Sequence, residues 1–185
     1  MSVMDFTYET SQLIMRVCTR KDARLVHGFY MRNLYDFLRY EPINLKAAST
    51  LIYYEKLLDV EYNLLLKKQV ARFFLFEKAN PFRIVGTVAF RSFNEAPHLL
   101  SCQIGYKIDQ DCRRRGYARE AISTGCDIMF HDRGLHRIEA MVLPDNIASC
   151  RLLEGLGFER EGLMKSKIRL NGEWKDHYLY ALVNV

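Results

Sequence analysis

Hydrophobic positions in the first part of the chain change period several times. Residues 12–18 are predicted to form a strand, and a helix is expected to begin near Thr19 and run to about residue 31. Residues 32–45 are aromatic and irregular, whereas 46–68 predict a long helix. Its apolar residues recur at three-, four- and seven-residue steps: Leu51, Leu58, Tyr62 and Leu65.

From residue 70 onward the period is mostly two, which is typical of strands, with two helical segments between them. The predicted strands are 70–77, 84–91, 99–109, 138–142, 163–170 and 174–183, and the predicted helices are 117–131 and 146–155. Asn171-Gly172 is a strong two-residue hairpin signal. The order β-α-α-β-β-β-α-β-α-β-β predicts one mixed α/β domain over residues 1–185.

Gly125 interrupts the predicted helix 117–131. A glycine within a helix costs roughly 1 kcal/mol relative to alanine. We therefore expect a neighbouring element to pack closely against the helix at this position.

Composition narrows the functional class only slightly. Apolar residues make up 49% and charged residues 26%, with a net charge of +5, as in an ordinary soluble, mildly basic protein. The scattered, unpaired spacing of the cysteines predicts a reduced, cytoplasmic compartment. The sequence shows no signal-peptide pattern and no apolar run long enough to cross a membrane. The five cysteines are scattered and the five histidines have no metal-ligand spacing, so neither disulfides nor a metal site are expected.

The segment Arg113-Arg114-Arg115-Gly116-Tyr117-Ala118 follows a strand-like run and opens a helix. A small-residue turn at this point leaves backbone N–H groups free, and the helix dipole adds positive potential, so the turn suits a pyrophosphate. The arginines add charge for a further phosphate. The sequence is neither a Walker loop nor a Gly-x-Gly-x-x-Gly dinucleotide loop.

The same segment resembles the (Gln/Arg)-x-x-Gly-x-(Gly/Ala) acetyl-CoA motif of the GNAT N-acetyltransferases. Two further stretches resemble the family: Ile104-Gly105-Tyr106 before the loop, and the Asn146 to Phe158 segment with its Leu-Gly-Phe ending. The tail from Gly172 to Leu182 is similar to the RimJ/RimL group of ribosomal-protein alanine N-acetyltransferases. The resemblance is strong over about residues 84–183.

The resemblance implies a GNAT fold. This fold has a mixed central sheet of six to seven strands, about four flanking helices, and central strands that splay apart to bind CoA. The implied cosubstrate is acetyl-CoA, and no metal is implied. The residues expected to bind it are Ile108, Arg113, Arg114, Arg115, Gly116, Tyr117, Ala118, Arg119, Asn146 and Ser149.

The implied reaction is direct transfer of an acetyl group to an amine in a ternary complex. Many GNAT enzymes place a tyrosine at the position of Leu153 to reprotonate the CoA thiolate, and leucine cannot do so. The RimJ/RimL resemblance assigns that role to Ser149 instead.

The group that deprotonates the acceptor amine is open. Ile168 and Gln103 occupy positions where relatives carry a glutamate, and neither side chain can take up a proton. We therefore predict that a chain of water molecules deprotonates the amine, with the carboxylates of Glu161 and Asp176 as secondary candidates.

Other functions compete with this interpretation. A non-catalytic acyl-CoA sensor fits the missing tyrosine and base, whereas the clustered arginines provide little support for nucleic-acid binding. The acceptor is expected to be a peptide N-terminus or a small-molecule amine, with region 32–70 forming one wall of its site. The protein is expected to be a monomer or homodimer that binds neither nucleic acid nor membrane.

Overall fold

The computed structural model describes residues 5–184. Its eight strands are β1 (Thr7–Glu9), β2 (Leu13–Arg16), β3 (Val70–Glu77), β4 (Asn80–Asn94), β5 (Ser101–Ile108), β6 (Arg137–Val142), β7 (Glu159–Leu170) and β8 (Glu173–Val183). Its six helices are α1 (Ala23–Arg32), α2 (Leu34–Phe37), α3 (Leu45–Ala48), α4 (Leu51–Leu66), α5 (Tyr117–His131) and α6 (Ile147–Glu154).

The strands form one sheet in the order β1-β2-β3-β4-β5-β6-β8-β7. Neighbouring strands are antiparallel except β5 and β6, which are parallel. The predicted α/β layered GNAT architecture is confirmed, with eight strands instead of six or seven. The additional strand, β1, is a three-residue edge strand with mostly exposed side chains, so it carries no alternation signal.

The predicted helix over 46–68 consists of two helices, α3 and α4. The hydroxyls of Ser49 and Thr50 donate to the carbonyls of Lys46 and Ala47 at 3.1 and 2.9 Å. Such side-chain bonds compete with the helical ladder and end α3. Thr50 then precedes α4 in an extended conformation.

Apolar residues cover both faces of the sheet. One core lies beneath α5 and α6 and contains Val88, Phe90, Ile104 and Tyr180, while the other lies beneath α1 and α4 and contains Phe74. Gly125 confirms the expected close approach, because a Cβ atom there would lie 2.8 Å from the Phe90 ring. No helix among residues 5–184 is long and apolar enough to span a membrane.

Candidate active site

The two parallel strands at the centre of the sheet diverge. β5 and β6 pair from Ser101↔Arg137 to Ile104↔Ala140 and no further. The outer half of β5, Gly105–Ile108, continues to pair only with β4, while β6 continues along β8. The backbone groups on one side of this half-strand are therefore open to a ligand, as expected of a splayed pair.

A cavity of about 890 Å³ fills the split and extends to both faces of the sheet. Alternation along β5 puts Tyr106 and Ile108 on the face covered by α5 and α6, and Gly105 and Lys107 on the face covered by α1. All four line the cavity. After the roles that the resemblance implies, we call the part beside α5 and α6 the cofactor end, and the part beside α2 and residues 40–42 the acceptor end.

The cofactor end is closed by the loop before α5. Gly116 has φ +84° and Arg114 has φ +61°, so the chain turns through two left-handed residues before the helix begins at Tyr117. Residues 116–119 line this end of the cavity, and the first N–H groups of a helix have no partner within the helix, so they suit an anion.

The predicted cofactor-binding residues lie together around this end, with one exception. The cavity lining includes Ile108, Arg113, Arg114, Gly116, Tyr117, Ala118, Arg119, Asn146 and Ser149. Arg115 instead bonds Glu77 at 3.2 Å and the carbonyl of Asp111. Arg113 pairs with Asp36 of α2, and Arg119 donates to the carbonyl of Gly155 at 2.7 Å.

Asp109 fixes the junction between β5 and the loop. Its carboxylate is fully buried and accepts hydrogen bonds from Arg32 and Arg83, each at 3.1 Å, and from the Asp111 N–H. Burial opposes its ionisation, but the Asp111 N–H and the two guanidinium groups outweigh burial, so the pKa of Asp109 is lowered. The loop is therefore attached to the sheet through an ionised anchor.

Ser149 lies in the first turn of α6, where the Asn146 side chain caps the helix and accepts from the Ser149 N–H at 3.2 Å. Ser149 Oγ is 2.5 Å from the Tyr106 hydroxyl on β5. Burial raises the pKa of Tyr106 to about 12, so that this phenol keeps its proton at neutral pH. Leu153 is fully buried in the core.

The two carboxylates predicted as possible bases lie away from the cavity lining. Glu161 pairs with Arg137, whose guanidinium lowers the pKa of Glu161. Asp176 accepts a hydrogen bond from the Ser166 N–H at 2.7 Å. Gln103 and Ile168 do line the cavity.

The charged side chains at the acceptor end were not identified as site residues from the sequence. Glu41 pairs with Lys107 at 2.9 Å, and Arg72 with Glu61 at 2.8 Å. Arg91 lies over Gly105, whose Cβ position is 3.7 Å from the guanidinium. His177 of β8 completes the end. Residues 32–45 show no periodic pattern of apolar residues, so the sequence predicted only that Glu41 belongs to a wall of the acceptor site.

No group of three or more histidine, cysteine, aspartate or glutamate side chains among residues 5–184 is arranged to hold a metal ion. All five cysteines are buried and unpaired. Burial raises the pKa of the Cys102 thiol to about 12, which does not favour a thiolate nucleophile at neutral pH.

Comparison with known proteins agrees with this geometry. Residues 12–159 match the family described as the acetyltransferase (GNAT) domain. A probable N-acetyltransferase of Bacillus subtilis, YjcK, is 38% identical over 125 residues, covering 67% of this chain and 68% of that protein.

Solved structures share the whole fold. The ribosomal-protein-S5-alanine acetyltransferase of Vibrio fischeri superposes with a TM-score of 0.91 and 29% identity, covering 97% of both chains. Mycobacterium smegmatis RimJ in complex with CoA-disulfide gives a TM-score of 0.89 at 24% identity, covering 97% of this chain and 87% of that one. Because the family model covers most of the sequence and the fold has the splayed strands that the family predicts, the chain belongs to the GNAT acetyltransferase family.

Proposed function

We propose that this acyltransferase moves the acetyl group of acetyl-CoA directly to a primary amine, either a protein N-terminus or a small-molecule amine. The observation that carries the proposal is one cavity that joins the loop at Gly116, the open backbone of β5 and the hydroxyl of Ser149. The CoA compound bound by the RimJ neighbour supports the same cosubstrate.

The cofactor end suits the parts of acetyl-CoA in order. Backbone N–H groups at the start of α5 would hold the pyrophosphate, with Arg113, Arg114 and Arg119 around it. The pantetheine arm carries amides, and these would pair with the open edge of Gly105–Ile108 as an added strand does. This pairing would place the thioester near Tyr106 and Ser149.

Ser149 would then donate its proton to the departing CoA sulfur. Tyr106 keeps its own proton at neutral pH, so it can donate to Ser149 Oγ and leave the serine O–H free to face the cavity. A backbone N–H of β5 would hold the oxyanion of the tetrahedral intermediate. Glu161 and Asp176 have secondary roles in this proposal, since Arg137 and the Ser166 N–H engage them.

Two observations support a peptide acceptor. The Vibrio fischeri neighbour, a ribosomal-protein alanine acetyltransferase, supports a protein N-terminus that begins with alanine. The acceptor end opens between α2, the segment after it and β8, which leaves room for an extended peptide.

The test is an acceptor screen that follows release of the CoA thiol. Peptides beginning with alanine or serine, polyamines, amino acids and aminoglycosides are each offered with acetyl-CoA. Turnover with a peptide N-terminus and mass-spectrometric detection of the acetylated product are expected. Tight binding of acetyl-CoA without turnover on any amine would favour the acyl-CoA sensor.

A further inference from the structure

His177 stands at the acceptor end of the cavity on the strand next to β6. Tyr178 pairs with Val142, the last residue of β6, so His177 comes just beyond the end of that strand. By register its side chain shares the sheet face of Gln103, Gly105 and Lys107. The residue is 3% exposed and lines the cavity.

The imidazole is held by its Nδ1 atom. This nitrogen lies 3.1 Å from the backbone carbonyl of Lys175. A carbonyl oxygen only accepts hydrogen bonds, so Nδ1 carries the hydrogen. In the neutral ring the lone pair then resides on Nε2.

The Nε2 atom of His177 is not fully enclosed by protein atoms. It has no hydrogen-bond partner among residues 5–184. Within the same range, Arg83 Nε is the single sealed side-chain nitrogen or oxygen without a partner. Nε2 of His177 is therefore accessible, and the cavity that His177 lines supplies the space around it.

The two carboxylates in the cavity lining each pair with a cation. Glu41 pairs with Lys107, and Asp36 pairs with Arg113. The charged groups that line the acceptor end with His177 are the Lys107–Glu41 pair, Arg72 and Arg91. Lys175, two residues before His177 on the same strand, is exposed and pairs with Glu173. This leaves His177 Nε2 as a proton acceptor that has no hydrogen-bond partner among residues 5–184.

We infer that His177 Nε2 is the general base that deprotonates the acceptor amine, an inference that rests on the proposed function. A proton moves from the acceptor ammonium to Nε2, which frees the nitrogen lone pair. That lone pair forms the N–C bond with the thioester carbonyl, and the C–S bond breaks. The second N–H proton ends on the CoA sulfur by way of Ser149, and the imidazolium returns its proton to solvent.

The test distinguishes the roles of the two imidazole nitrogens of His177. His177→Asn keeps an N–H donor near Nδ1 for the Lys175 carbonyl but removes the basic Nε2. His177→Gln places an amide oxygen or nitrogen farther out and also removes the base. His98→Asn, at an exposed histidine outside the cavity lining, is the matched control. Thermal unfolding and calorimetric titration with CoA establish that each variant is folded and binds the cosubstrate.

We expect kcat to fall by about 10²–10⁴-fold in His177→Asn and His177→Gln, the usual effect of a lost general base. CoA affinity and the control should stay close to wild type. Free imidazole should restore part of the activity of His177→Ala. If that variant does not fold, the kcat of the folded Asn and Gln variants decides.

Two results would overturn the inference. One is a folded His177→Asn enzyme with kcat within about threefold of wild type, which is far below the effect of a lost base. The other is activity lost in every variant with no response of a folded His177→Ala to imidazole. Wild-type enzyme that releases no CoA thiol with any amine would overturn the proposed function as well, so the two failures are distinguishable.

Discussion

Tyr106 Oη and Ser149 Oγ lie 2.5 Å apart and connect the central strand β5 to the first turn of α6. The contact spans the cofactor end of the split between β5 and β6. Since the Asn146 side chain also holds the Ser149 backbone, the serine is fixed from two sides.

The first prediction tests this pair. Ser149→Ala should lower kcat by about 10²–10⁴-fold and change the KM for acetyl-CoA much less, because a general acid acts on the transition state. Tyr106→Phe should cost about tenfold or less, and should add little on the Ser149→Ala background, since residues of one network are not additive. Steady-state kinetics of the double-mutant cycle measure this, with Tyr35→Phe, an exposed tyrosine, as control.

An unchanged kcat in Ser149→Ala, measured where chemistry limits turnover, would show that Ser149 is not the general acid. Additive losses in the double variant would show instead that Tyr106 and Ser149 act separately.

Gly116→Val should abolish acetyl-CoA binding. A Cβ at Gly116 meets no protein atom closer than Gln12 Nε2 at 3.9 Å, so the effect comes from the φ of +84° and from crowding of the ligand. Gly134→Val is the matched control, because Gly134 also has positive φ and open space but lies outside the cavity lining. Both variants should lose about 1–3 kcal/mol of stability.

Calorimetric titration with acetyl-CoA distinguishes the two glycine variants. If the folded Gly116→Val protein bound acetyl-CoA within threefold of the wild-type affinity, the loop would not be the pyrophosphate-binding site.

Glu161→Gln and Asp176→Asn should each lower kcat/KM by less than about tenfold, well below the effect of a positioned base. Their partners, Arg137 and the Ser166 N–H, hold both carboxylates away from the cavity lining. The measurement is kcat/KM for one acceptor peptide across the two variants and wild type. A hundredfold loss in either variant, with the fold intact, would identify that carboxylate as the base in place of His177.

Asp109→Asn should destabilise the protein by about 1–3 kcal/mol at neutral pH, since it leaves two guanidinium groups without their buried partner. The pKa of Asp109 is lowered in the folded state, so its ionised form stabilises the fold above the unfolded pKa of about 3.9. That contribution is lost as the pH falls through the folded pKa. Denaturant unfolding of both proteins from pH 7 to pH 3 should show their difference shrinking on acidification, and a constant difference would contradict it.

The C-terminal half of the fold was accessible from the sequence because its turns have specific chemistry. Gly116 and Asn171-Gly172 have positive φ, and the segments between them keep clear periods. The break between α3 and α4 was missed, although the adjacent Ser49 and Thr50 hydroxyls were its signal. β1 had no signal, since three mostly exposed residues show no alternation.

The candidate site was less accessible, and the three adjacent arginines show why. Arg113 and Arg114 line the cavity while Arg115 points to Glu77, and this division depends on the left-handed backbone at Arg114. His177 shows the same limit, because its role depends on which ring nitrogen meets the Lys175 carbonyl. Both are properties of local conformation that residue type and spacing do not encode.

The sheet is continuous at its centre through only four residue pairs, Ser101–Ile104 with Arg137–Ala140. Strands β1 to β5 lie on one side of these pairs, and β6, β8 and β7 lie on the other. His177 is on β8. These four pairs, the seam of the sheet, are therefore the point from which β5 and β6 diverge. The twist of the two strands at the seam sets the angle between them. Substitutions at the seam can thus widen or narrow the slot between them without altering any side chain at its open end.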